Sequence, residues 1–209
     1  MGFFDSLPKP APPDPPRHFQ HPPWIEPGRN IMSATLAVDG VLVRTPTVGV
    51  FADGFRVYPY GFSFSVTVLI NVDGGEEQAE DPFRLYPRLR QTEPTQADRD
   101  NALRIGVKFP NGRGASIFSP RHPDDGSEAP QPPIIDTMGG SGGSNRWTQG
   151  YWVWDLPKSG DVSIVYSWLA RSVPESRLTL DGEILRAAAA RAVVLWPEPS
   201  EQEDDDGTR

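Results

Sequence analysis

The sequence predicts a mainly β chain: an antiparallel β-sandwich of about seven or eight strands, with one C-terminal α-helix and disordered ends. Three observations predict it. From Ile31 onward apolar residues recur with a period of two, as on a strand with one buried face. Asn-Gly and Asp-Gly pairs fall between the apolar runs, where hairpin and turn backbones want them. The chain has 24 Pro and 20 Gly in 209 residues against a hydrophobic share of 37%, which describes one packed body diluted by unstructured polypeptide. A βαβ architecture would need helices between the strands, and the pattern offers one helix only, at the end.

Residues 1–30 hold nine prolines in runs such as PKPAPPDPP and HPPWIEP. Proline lacks the amide donor that helices and sheets require, so this segment is expected to be a solvated, Pro-rich disordered arm. The β-sandwich domain is expected over 31–196. Turns at Asp39-Gly40 and Asp53-Gly54 predict strands near 32–38, 41–51 and 55–70. In FSFSVTVLI, Phe62, Phe64, Val66, Val68 and Ile70 share one face, with Ser63, Ser65 and Thr67 on a wet one. LRIGVKF turns Leu103, Ile105, Val107 and Phe109 inward and reaches a hairpin at Asn111-Gly112, with ASIF returning beside it.

The polar segments near 72–101 and 119–146 are too long for ordinary connections and are either mobile or functional. GGSGGSN reads as a glycine loop crossing the end of the sandwich. YWVWDL is expected to pair with DVSIVYSWL through a Pro157–Gly160 turn, placing Trp154 and Trp168 in the core. After a turn at Asp181-Gly182, DGEILRAAAARAVVLWP is Ala-rich and predicts the closing helix, with Ile184, Leu185, Ala188 and Ala192 near one face. Residues 197–209 carry six acids against one Arg and read as an acidic disordered tail.

The stretches YPYGFSFSVTV, LRIGVKFPNGRGAS and YWVWDLPKSGDVSIVYSWLARSVPESRLTLDGEIL resemble a group of uncharacterised bacterial β-sandwich proteins with the same succession of motifs. The resemblance spans most of residues 32–196 and rests on aromatic and turn spacing. It implies a fold and no activity, cofactor or binding residue.

Chemistry is excluded more readily than assigned. The net charge of −8 sits mostly in the final segment, and no basic run exists to neutralise phosphates, so nucleic acid is not an expected partner. No cysteine removes disulfides and thiolate sites. No window approaches the apolar length of a membrane span and no basic-led signal opens the chain, which predicts a cytoplasmic protein. The G-x-S-x-G around Ser141 matches a nucleophile elbow in letters alone: that elbow needs a helix after the Ser and a later His, whereas His18, His21 and His122 all precede it. His122, Asp124 and Asp125 in HPDDG read as a solvated turn rather than metal ligands, and no cofactor is expected. Asp155 is the only acid within the aromatic strand.

What remains is the aromatic strand itself. Trp147, Tyr151, Trp152 and Trp154 are the candidate ligand- or partner-binding residues, because alternation gives this strand two large apolar faces and a core uses one. The other face calls for cover by the chain, by a protein partner or self-association, or by a sugar ring. The expected function is a non-enzymatic binding or scaffold module acting through protein–protein contacts. The alternative is a carbohydrate-binding or carbohydrate-cleaving β-sandwich that uses surface aromatics.

Overall fold

The computed structural model describes residues 21–71, 81–86, 93–119 and 129–196. His18, His122, Asp124, Asp125 and the 197–209 tail lie outside the described residues. The protein is mainly β, its sheets antiparallel. Strands β1 (Ile31–Met32), β2 (Ala34–Thr35), β3 (Gly40–Arg44), β4 (Val48–Tyr58) and β5 (Gly61–Ile70) come first. Helix α1 (Gln96–Asn101), β6 (Arg104–Lys108) and β7 (Gly114–Ser116) follow. Then come β8 (Ile134–Gly143), β9 (Arg146–Trp154), β10 (Val162–Trp168), a 3-10 turn at Leu169–Arg171, β11 (Val173–Leu180), α2 (Gly182–Ala189) and β12 (Val193–Val194).

The strands form a six-stranded sheet with the order β2-β4-β5-β9-β8 and β3 also on β4, a four-stranded sheet β11-β10-β6-β7, and a ribbon β1-β12. Both larger sheets feed one apolar core. Phe62, Phe64, Val66, Val68 and Ile70 of β5 enter it, with Leu103, Ile105, Val107 and Phe109 around β6 and Val162, Ile164, Tyr166 and Trp168 of β10, as the alternation predicts. The Tyr166 hydroxyl donates to the Leu42 carbonyl of β3 at 2.7 Å, so its polar tip is satisfied inside the core.

Several local expectations change. Asp53-Gly54 is not a turn: β4 runs through it, and the pairing shifts register between Asp53 and Arg56. Gly54, at φ +65°, supplies the left-handed residue of a bulge, which an Asp-Gly pair suits as well as it suits a turn. GGSGGSN is not a crossing loop either, because β8 contains Gly139 to Gly143 and forms a hairpin with β9. β9 is flanked by β5 and β8, so both its edges are taken and β10 cannot pair with it. The Pro157–Gly160 segment therefore carries the chain from one sheet to the other instead of closing a hairpin.

The closing helix is shorter than its Ala-rich pattern. The Asp181 carboxylate accepts from the Glu183 and Ile184 amides at 2.7 and 3.2 Å, an N-cap where a turn was expected. The helix stops at Ala189 and Val193–Val194 become a strand, β-branched residues overriding the neighbouring alanines. Leu185 and Ala188 are buried but Ile184 is half exposed, so the apolar face is narrower than expected. α1 was not expected at all. Its T-Q-A-D start forms a capping box, Thr95 and Asp98 satisfying each other's backbone amides.

Candidate functional site

The four aromatic candidates lie on β9 and divide between its faces as alternation requires. Trp147, Tyr151 and Val153 enter the common core; Trp152 and Trp154 take the opposite face. Tyr151 is fully buried and its hydroxyl meets that of Tyr86 at 3.0 Å, while the Tyr86 hydroxyl donates to the Leu103 carbonyl at 2.7 Å. Burial pushes both hydroxyls well above the ordinary tyrosine range, because a phenolate there would lose its hydration. Two neutral phenols joined in a core act as a structural pair that satisfies its own polar tips.

The opposite face of β9 is covered by the chain itself. Residues 21–30 are expected to be solvated, yet Pro23 and Trp24 lie against it. Trp152 is fully buried, with Tyr58 and Tyr60 edge-on at 5.3 and 6.1 Å. Its indole N–H donates to the Pro23 carbonyl at 3.0 Å, and the Gly28 amide donates to the Tyr60 hydroxyl at 2.7 Å. Trp24 is buried and packs edge-on to Trp154 at 5.9 Å. The prolines leave carbonyls free to accept, and Trp24 supplies apolar area, so the segment is a strap rather than an arm. Gly61 is required beneath it, since a Cβ there would overlap the Trp152 ring.

Ser141 is exposed on β8, at the rim of a cleft of about 400 Å³ walled by Phe83, Tyr86 and Trp147. β8 sits under Trp147 because of its glycines: a Cβ on Gly142 would overlap Trp147 Cδ1. The element directly after Ser141 is strand β9 and not a helix, and no histidine lines the cleft among the described residues. Among the described residues, Asp81 and Arg84 are its only charged wall residues. Asp155 caps the Leu156 amide at 2.6 Å, which gives that acid a local role. Among the described residues no cluster of three or more His, Cys, Asp or Glu is placed to hold a metal, and no helix is long and apolar enough to cross a membrane.

Among the described residues the largest solvent-facing group of apolar side chains is elsewhere. Ribbon β1-β12 pairs Ile31 with Val194 and Met32 with Val193, and the Leu195 amide continues the ladder to the Asn30 carbonyl. Met32 is 54%, Val193 44%, Val194 53%, Leu195 50% and Trp196 65% exposed. Alternation puts Met32, Val193 and Leu195 on one face and Ile31, Val194 and Trp196 on the other, so both faces are apolar and neither is fully covered by the described residues. The sequence reading missed this patch by assigning 190–196 to the helix. The switch from Ala-rich AAAAR to VVLW was the available signal.

No known protein family, curated protein or solved structure matches the chain.

Proposed function

We propose that the chain is a non-enzymatic binding module that engages a protein partner through ribbon β1-β12. The observation that carries this reading is the exposure of five large apolar side chains on a two-stranded ribbon. Such a ribbon is marginally stable alone in water, and contiguous exposed apolar surface of this kind is what protein interfaces bury. The two larger sheets supply its rigid support. We read them as the layers of a β-sandwich, since both send side chains into one core.

The carbohydrate reading draws less support, because Trp152 has no exposed ring surface and Trp147 is 7% exposed. Trp154 is the one candidate of the four with appreciable exposure, and its ring meets Trp24 edge-on.

The test pairs Leu195→Ser with Trp196→Ser in one protein. Both residues are exposed, so thermal stability is expected to stay at the parent value. Partners cross-linked to the parent in the host, or a dimer seen by sedimentation velocity, are expected to be lost. Unchanged cross-linking and sedimentation in that variant would refute the ribbon as the contact surface. Glycan binding abolished by Trp154→Ala would favour the carbohydrate reading instead.

A further inference from the structure

The outer face of the four-stranded sheet carries an open groove of about 460 Å³, remote in the topology from ribbon and strap. Its floor is Gly106 on β6 and Val165 on β10, which face each other in the pairing register. Arg104 and Lys108, flanking Gly106 on the same face, rise from β6, and α1 contributes Arg99. In a chain of net charge −8 these three cations have no carboxylate within ion-pair distance among the described residues, and of the described residues lining the groove Glu175 is the only acid.

Its hydrogen-bonding groups are arranged one way. Arg104 donates its Nε to the Ser167 hydroxyl at 2.7 Å, which fixes the guanidinium and leaves both terminal amino groups without a partner among the described residues. The Ser116 hydroxyl accepts the Phe118 amide at 3.2 Å and the Ser119 hydroxyl accepts the Ser116 amide at 2.9 Å. A hydroxyl that already accepts keeps its proton to donate. The described lining of the groove therefore offers guanidinium, ammonium and two hydroxyls with protons left to donate, against one carboxylate. A fixed arginine fork with hydroxyl donors suits the oxygens of a phosphoryl group.

We propose that this groove binds a small anion bearing a phosphoryl group, held by Arg104, Lys108, Ser116 and Ser119. The site is independent of the ribbon, so either reading stands if the other fails. The groove is large enough for an organic phosphate, within the range of small-ligand sites.

The full chain, isotopically labelled, is titrated by NMR with inorganic phosphate, pyrophosphate, ribose 5-phosphate and succinate. Saturable shifts centred on the amides of Gly106, Gly114 and Ser116 are expected for the phosphoryl compounds, with affinity falling as salt rises. Tighter binding of ribose 5-phosphate than of inorganic phosphate assigns an organic phosphate; the reverse order assigns the free ion. Arg104→Gln is expected to weaken binding by roughly tenfold or more, as loss of charge-assisted hydrogen bonds does, and Ser116→Ala by less. Arg56→Gln, on the other sheet, is expected to bind like the parent. No saturable shift, equal binding of succinate, or parental affinity in Arg104→Gln and Lys108→Gln overturns the proposal.

Discussion

Trp24→Ala distinguishes a strap from a solvated arm. Trp24 is 7% exposed although it stands in a stretch with prolines at 22, 23 and 27. A buried tryptophan hides about 150–250 Å². At about 25 cal/mol per Å² this amounts to about 4–6 kcal/mol gross. Residual compactness of the unfolded chain removes roughly a third of that. The strap can also relax once its ring is gone, so the expected loss is about 3 kcal/mol, at the lower end for tryptophan truncation. For a chain of this size that is a fall in Tm of about 6–12 °C, measured by circular dichroism. Trp154, which Trp24 covers edge-on, should also move to a redder fluorescence emission in the native state. A variant that melts within a degree of the parent, with unshifted emission, would show that residues 21–30 contribute no packing.

Trp168→Ala is expected to cost roughly 3–5 kcal/mol in urea unfolding, because its ring is in the core and its N–H donates to the Asn101 carbonyl. Trp154→Ala should cost about half of that, since its ring is partly solvated; equal losses would contradict the burial difference. Gly142→Val must displace the Trp147 ring and should lose roughly 1–3 kcal/mol, while Ser141→Ala beside it changes nothing measurable. Parental stability in Gly142→Val would refute the close approach. The buried Tyr86 and Tyr151 hydroxyls titrate higher in the folded state than the value of about 10 in the unfolded chain. Their contribution is then fully present below pH of about 10 and lost as pH rises through the folded values. The urea midpoint should fall above that pH, less steeply in Tyr86→Phe, and ultraviolet titration of both tyrosines near 10 would exclude the effect.

The mainly β architecture was legible because the alternation in β5, β6 and β10 is complete and their inward residues are large. Two strands are less regular. β4 hides a bulge under an Asp-Gly pair, and the second half of β8, Gly139 to Gly143, is written in glycine and serine, whose weak strand preference is outweighed by pairing with β9 and by the Trp147 ring lying over Gly142. Burial of Ser63 and Thr67 on the face of β5 expected to be wet has the same origin. Whether a face is covered depends on distant residues: Thr67 meets the Thr148 hydroxyl at 2.9 Å, and Ser63 lies opposite Trp152 in the register. The candidate aromatics were correctly located as a two-faced strand. What covers them was not legible, because the strap's binding depends on one indole N–H finding a proline carbonyl 129 positions away. The ribbon patch was hidden for a different reason: pairing Val193 with Met32 is a contact between the two ends of the domain, which no local pattern encodes.

That pairing has a mechanical consequence. The side-chain amide of Asn30 reaches the Trp196 carbonyl at 2.6 Å, so polypeptide entering β1 and leaving β12 does so at the same end of the ribbon. A pull applied through both neighbouring segments peels the antiparallel pairs one after another instead of shearing them together. On the N-terminal side that pull reaches the ribbon only through the 21–30 strap, so the strap's contacts with Trp152 and Trp154 and the few ribbon pairs would be loaded before the two core sheets. Tension on the chain would then fall first on the strap and the apolar ribbon, and only afterwards on the sheets that carry them.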